Sequence, residues 1–428
     1  MTSTQLPARV DFAVIGAGQA GLTMSWHLQR AGREHVLLER RATLGGGWQD
    51  RWDAFRLVSP NWTASFPDAP YDGDDPDGFM PRDELIGRVA AYAERIAAPI
   101  VLEAGVDWLR PAADGGVGFA IQTTQGPVRA REVVVATGGF HRPNIPAIAE
   151  GLPRRVLSLH SSAYRRERDL PPGAVLVVGS GQTGCQLLEE LRDAGRDVYL
   201  SGGAAGRVPR TYRGRDMFCW LADLGLHGER SGTPLPNVLT LPDPRRRLAA
   251  NPQLSGHKGG HDIDLRQMAL DGTTLLGRLT GIDGERVKFA PDLHANLAFA
   301  DRFFEERFRK LCDGYIEAAG LDCPPAEPMS VATFEPPVIE ELDLNRAGIG
   351  TVLWTSGYRQ SLGWIEPSIT DDMGFARQDR GVSELPGLAF IGSLWQWDQT
   401  SATLFGVGRD AEVLARRMGL ATGSAPGA

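Results

Sequence analysis

Two short glycine runs carry the chemistry that this sequence can be expected to perform: Gly16-Ala17-Gly18-Gln19-Ala20-Gly21 and Gly179-Ser180-Gly181-Gln182-Thr183-Gly184. Both read G-x-G-x-x-G. In that spacing the first glycine makes a tight turn and the second lets backbone approach a pyrophosphate. The third lets a helix pack closely on a strand. The helix that follows offers free N–H groups and the positive end of its dipole to the anion. A bare match carries little weight, because a glycine-rich turn also serves simply to pack a helix on a sheet. The setting adds the weight. The apolar run Val10 to Ile15 leads into the first motif and a helical pattern from Leu22 to Arg30 follows. A second apolar run, Val36 to Leu38, then ends at Glu39, whose carboxylate suits an adenosine ribose.

The pattern restarts after Pro171-Pro172-Gly173, with a strand at Ala174 to Val178, a helix at Cys185 to Arg192 and a strand at Val198 to Leu200. Aligned with the first unit, Gly195 matches Gly32 and Ser201 matches Glu39. Such a repeat predicts two nucleotide sites in one chain. The exchange of acid for serine has a chemical meaning, since a carboxylate would repel a 2′-phosphate while serine and a guanidinium can bind one. Arg207, Arg210, Arg213 and Arg215 follow Ser201. NADPH is therefore expected in the second site, with Ser201 and Arg207 at its phosphate, and an unphosphorylated ribose, as in FAD, in the first.

These motifs need elements to hold them. The fold expected is α/β, built from two Rossmann-like dinucleotide-binding domains. Around the first site, Arg40 and the loop Gly45-Gly46-Gly47-Trp48 are expected beside the cofactor, and Val133 to Ala136 reads as a buried strand entering Thr137-Gly138. Gly350 to Tyr358 echoes that strand and turn, and Gly387 to Gly392 is a further strand ending at a cofactor-facing glycine. Because the strands after residue 340 resemble the ends of the first domain, the second is expected as an insertion. The FAD domain then takes residues 1–167 and 341–428, and the NADPH domain 168–340. Asp83 is placed to cap a helix over Glu84 to Ile96, and Phe119 to Thr123 with Val128 to Ala130 reads as a hairpin. Asn296 to Ala319 is an amphipathic helix with Phe299, Phe303, Phe304 and Phe308 on its core face, and Ser401 to Leu414 reads as a closing helix. His257 and His261 lie in a glycine-rich loop with no completed metal pattern.

The bulk properties narrow the partners. A net charge of −8 argues against nucleic acid as the main partner. No run approaches the roughly 18 apolar residues of a membrane span. Met1 to Arg9 is polar and lacks the apolar stretch of a signal peptide, so a cytoplasmic location is expected. Four cysteines, Cys185, Cys219, Cys312 and Cys323, form no C-x-x-C pair, which fits a reducing compartment and gives no redox dithiol. The small-residue tail Ala421 to Ala428 is expected to fray. A homo-oligomer is possible, and subunit number is open.

In their order along the chain, these features resemble the class B flavoprotein monooxygenases, which comprise flavin-containing, N-hydroxylating and Baeyer–Villiger enzymes. The likeness spans nearly the whole chain: the Gly16 motif, Glu39, Gly46-Gly47-Trp48, Ala136-Thr137-Gly138, the Gly179 motif and Thr355-Ser356-Gly357-Tyr358. The family motif F-x-G-x-x-x-H-x-x-x-[YFW] has its second half in His160 to Tyr164, while Arg154 and Val156 stand where its Phe and Gly would be. The resemblance implies FAD, NADPH, O2 and a small-molecule nucleophile, with oxygen transferred from a flavin C4a-hydroperoxide. Tyr164 in place of Trp favours N- or S-oxygenation over Baeyer–Villiger chemistry. It also implies Asn61 near the reactive flavin edge and His160 arranging the two domains. The alternative of another class is an NADPH-dependent reductase acting on a non-oxygen acceptor.

Overall fold

The computed structural model describes residues 5–112 and 118–420. The tail expected to fray lies outside them. Arg9–Ile15 is the central strand of a nine-stranded sheet. On one side it pairs in parallel with His35–Leu38, Ile15 opposite Leu38, and that strand pairs with Ile100–Val101. On its other side runs Gly126–Val135, Ile15 opposite Val135, followed by Leu388–Phe390. Val106–Pro111 and Phe119–Thr123 fold back antiparallel on Gly126–Val135, which realises the expected hairpin.

The run Val10 to Ile15, apolar but for Asp11, is explained by cover on both faces. Phe12 and Val14 point to a core shared with the helices Gln19–Arg30 and Gly406–Arg417. Ala13 and Ile15 point the other way, into a core with Leu109, Phe119 and Ile121 of the antiparallel layer. The closing helix begins at Gly406, later than Ser401, because Asp398 to Thr403 are held in turns. Asp83 is not a cap: the helix Arg82–Arg95 has Pro81 at its N-cap, and Asp83 sits in the first turn bonded to Arg82.

The second sheet is five-stranded and wholly parallel, in the order Thr274–Leu276, Val198–Ser201, Ala174–Val178, Ile349–Trp354, Leu157–His160. It therefore draws on residues 157–160 and 349–354, which the division at 168–340 had placed in the first domain. The strand Ile349–Trp354 is apolar but for Thr351 and would suit either sheet. Its register, Trp354 opposite both Val178 and His160, fixes it in the second. The expected helix over Asn296 to Ala319 runs continuously from Leu293, with a π turn at Glu305–Arg309, and Phe304 and Phe308 are buried while Phe299 and Phe303 are half-buried.

The chain crosses between the domains twice, and the two crossings lie side by side. Arg142–Pro143 pairs antiparallel with Tyr358–Arg359. Asn144 Nδ2 donates to the Ser356 carbonyl at 3.1 Å, and Ser356 Oγ donates back to the Asn144 carbonyl at 2.5 Å.

Candidate functional site

The first glycine turn opens onto a cavity of about 360 Å³. Gly16, Gly18, Gln19 and Ala20 line its middle, with Glu39 and Arg40 from the end of the neighbouring strand. Gly47, Trp48, Thr137, Gly138 and Gly392 complete the set expected from sequence. Gly18 has open space where a side chain would start, the nearest atom being Gly46 Cα at 3.8 Å. Gly16 has φ +106°, and a Cβ there would meet the Ala136 carbonyl oxygen at 2.7 Å. Gly21 does not line the cavity. A Cβ on it would fall 1.9 Å from the Gly16 carbonyl oxygen, so its task is helix-on-strand packing.

Glu39 is buried at 5% exposure. One carboxylate oxygen accepts from Ala17 N–H at 2.9 Å and the other from Arg41 N–H at 3.0 Å, which locks the acid beside the turn. Trp48 Nε1 donates to Gln19 Oε1 at 3.3 Å and so ties the Gly-Gly-Trp loop to the first helix. Residues that motif reading missed also line the cavity: Arg51, Phe140, His141, Ser361, Trp364 and Ala402. They come from loops far apart in sequence with no motif of their own. Arg51 lies 5.0 Å from the Phe140 ring and 5.6 Å from Phe55, and burial disfavours its charge. A desolvated guanidinium on a cavity wall is a ready partner for an electron-rich ligand edge. His141 Nδ1 accepts from Ser361 N–H at 3.0 Å, so its Nε2 carries the proton and donates to the Thr137 carbonyl at 3.2 Å.

Asn61 and His160 are both drawn into structural bonds. Asn61 is buried, its Oδ1 accepts from Met80 N–H at 2.5 Å, and its Nδ2 donates to the Asp75 carbonyl at 2.9 Å. Both ends of the amide thus bond the 75–80 loop, and Asn61 is not among the residues that line the cavity. His160 ends a strand of the second sheet. Its Nδ1 accepts from Ser162 N–H at 3.1 Å, so Nε2 carries the proton and donates to the Gly357 carbonyl at 3.0 Å. The ring also meets Tyr358 edge-on at 5.0 Å. Burial, with Arg51 nearby, holds this imidazole below its ordinary pKa. It is a neutral tie at the domain junction and does not line the cavity.

The second glycine turn repeats the first in backbone. Gly179 has φ +121°, with Thr355 Oγ1 and carbonyl oxygen at 2.6 and 2.8 Å from a Cβ, and Gly184 would meet the Gly179 carbonyl at 1.8 Å. Gln182 and Thr183 open the helix Gln182–Asp193, which starts before the Cys185 expected from sequence. The residues expected beside a 2′-phosphate make bonds within the protein. Ser201 is buried and donates to the Gly277 carbonyl at 2.8 Å. Arg207 is 2% exposed, 3.3 Å from Asp301 and 3.5 Å from Asp264, and donates to the Ser330 carbonyl at 2.6 Å. Arg210, Arg213 and Arg215 are paired with Asp216, Asp313 and Asp223. Each of these arginines is thus engaged by the protein itself, Arg210 also donating to the Val58 carbonyl at 2.8 Å. Sequence spacing shows an arginine but not the carboxylates that claim it.

Residues 13–212 match the family model for pyridine nucleotide-disulphide oxidoreductases. An uncharacterised CzcO-like oxidoreductase of Geobacillus kaustophilus is 29% identical over 95% of this chain and 97% of its own. A rice indole-3-pyruvate monooxygenase, YUCCA4, is 29% identical over 42% of this chain and 44% of its own. Among solved structures, a flavin-containing monooxygenase from Stenotrophomonas maltophilia superimposes with a TM-score of 0.65 at 20% identity, covering 96% of this chain and 99% of that one. The chain is an oxidoreductase with the flavin-monooxygenase fold. The bacillithiol disulfide reductase of Staphylococcus aureus also shares this fold, with a TM-score of 0.60 at 12% identity over 96% of this chain and 98% of that one. The resemblance drawn from the motifs and the two-domain α/β fold are thus borne out. Among the described residues no helix is long and apolar enough to cross a membrane.

Proposed function

We propose that this oxidoreductase binds FAD in the first site and NADPH in the second, and places one oxygen atom from O2 on a small-molecule nucleophile, nitrogen and sulfur centres being favoured. The observation that carries this reading is the open cavity of about 360 Å³ running from Glu39 past Gly16 and Gly18 to Trp48 and Phe140. It offers an acid for a ribose, bare backbone at a helix N-terminus for a pyrophosphate, and an aromatic end for a ring system. The residues present therefore fit FAD.

In that fit Gly18, Gln19 and Ala20 hold the pyrophosphate by backbone N–H groups, and Glu39 orients the adenosine ribose. Trp48, Phe140 and Arg51 bracket the ring end and exclude water. Bound flavin supplies hydride acceptance from the nicotinamide donor and reaction with O2. The chain supplies position, shielding and a fixed charge. The test is a flavin and product assay. The purified protein is expected to be yellow, to bleach with NADPH under anaerobic conditions, and to give a product one oxygen atom heavier when amines or thioethers are supplied with O2. A colourless chain that takes up no flavin refutes the reading.

A second reading, an NADPH-dependent reductase of a non-oxygen acceptor, draws support from the disulfide reductase whose fold matches over nearly the whole of both chains. The thiols weigh against a cysteine relay. Cys185 and Cys312 are buried, with burial pushing the Cys312 thiol up to about 12, and no cysteine lines the cavity. Acceptor reduction without O2 consumption would favour this second reading.

A further inference from the structure

The two glycine turns share a backbone but not a state. In the first, the space beside the central glycine, Gly18, is open cavity. In the second, the space beside Gly181 is filled by the chain itself. A Cβ on Gly181 would meet Ala250 Cβ at 2.8 Å and the Asn251 carbonyl oxygen at 3.7 Å. Gln182 N–H, at the first position of the helix, donates to that same Asn251 carbonyl at 3.3 Å. A peptide carbonyl thus sits where a pyrophosphate oxygen is wanted. Gln253 secures the end of the segment, its Nε2 donating to the Ser180 carbonyl at 2.8 Å and its backbone N–H to the Gly206 carbonyl at 2.7 Å.

The segment is tethered to the other domain. Arg247 Nη2 lies 2.7 Å from Asp371 Oδ2, and its guanidinium carbon lies 4.2 Å from the Phe375 ring. Asp371 is itself fixed, its Oδ1 accepting from the N–H groups of Met373 and Phe375 at 3.0 and 2.9 Å. Upstream, Val238 N–H donates to the Trp397 carbonyl at 2.9 Å. Beside these tethers the segment packs poorly: Leu248, next to Arg247, is 61% exposed and Leu239, next to Val238, 77%. Few buried contacts on a segment that blocks an anion cradle describe an element that opens at low cost.

We propose that residues 244–251 form a strap that occupies the donor-dinucleotide cradle, and that the donor binds by displacing it, with the Arg247–Asp371 clasp setting how readily it opens. This rests on the reading of the second site as the NADPH site. The strap couples the two domains, because Asp371 and Phe375 follow closely on Ser361 and Trp364, which line the first cavity. The apparent affinity for the donor is the intrinsic affinity reduced by the fraction of chains with the strap open.

The experiment uses the flavin-loaded full chain with NADPH as the probe. Asp371→Asn keeps an oxygen for the Met373 and Phe375 N–H groups and removes the charge that holds Arg247; Arg247→Gln breaks the clasp from its other side. Both are expected to bind NADPH roughly 3- to 10-fold more tightly than the unaltered chain, by titration, with flavin content unchanged. Independently, the arginines at 245, 246 and 247 place trypsin sites on the strap, and saturating NADPH is expected to speed cleavage there. Equal NADPH affinity in all three chains, or cleavage that is unchanged or slowed by NADPH, overturns the strap. If NADPH binds none of the three while FAD remains bound, the reading of the second site falls, and the strap as its gate falls with it.

Discussion

Gly18 and Gly21 stand in one motif and do different work, so their substitution separates binding from folding. Gly18→Leu puts a side chain into open cavity and is expected to leave a folded protein with at least roughly 10-fold less bound flavin. Gly21→Ala sets a methyl 1.9 Å from a backbone oxygen and is expected to cost roughly 3 kcal/mol or more, with folding lost before binding can be assayed. Absorbance of bound flavin against thermal melting reads both. Asn61→Ala leaves the buried Met80 N–H and the Asp75 carbonyl without their partner and is expected to destabilise by about 2 kcal/mol, with the rate of flavin reduction in the folded protein unchanged. A selective loss of rate would support a catalytic role for it. Glu190 is a third case. Tyr164 OH donates to its Oε1 at 2.8 Å, its other oxygen is buried without a partner, and burial pushes its pKa up to about 7. Between the unfolded value near 4.5 and about 7 the folded chain holds the extra proton, so this group's contribution to stability falls as pH rises through that window. Glu190→Gln is expected to be near neutral at pH ~5 and stabilising by about 1 kcal/mol at pH ~8, measured by chemical denaturation.

At the scale of elements, strands and helices were legible where periodicity and flanking glycines agree. The strand–turn–helix–strand units, the hairpin and the long helix around Phe304 stand close to their expected places. What failed were ends and memberships. The closing helix starts late because Thr400, Thr403 and Asp398 bind the preceding backbone in turns. Ile349–Trp354 belongs to the second sheet because its partners are Ala174–Val178 and Leu157–His160, a choice made by long-range pairing. His160 ties that sheet to the return crossing through Gly357, and as a neutral imidazole with a lowered pKa it makes the junction acid-sensitive. The unfolded chain takes up the proton first as pH falls through about 6.5, so stability declines there. His160→Gln is expected to flatten the fall in melting temperature between pH ~7 and ~5.5; an unchanged slope would remove His160 from the acid response.

For the molecule as a whole, the open first cavity and the filled second cradle describe one domain ready for its cofactor and another that must be opened. Flavin that binds only the folded chain stabilises it by mass action, about 4 kcal/mol at a thousandfold excess over its dissociation constant. Stripping FAD is therefore expected to lower the melting temperature by several degrees, and adding it back to restore the loss.

By itself the sequence determined the two glycine turns, the acid after the first and its absence after the second, because backbone freedom and local periodicity are properties of neighbouring residues. It therefore determined that the chain carries two dinucleotide folds. The tertiary structure decided everything that depends on residues far apart: that Asp264 and Asp301 claim Arg207, that Met80 and Asp75 claim Asn61, that Arg51, Phe140 and Trp364 wall one cavity, and that Ala250 and Asn251 lie across the second turn. A side chain's partner is fixed by which surfaces meet, and no local pattern encodes that.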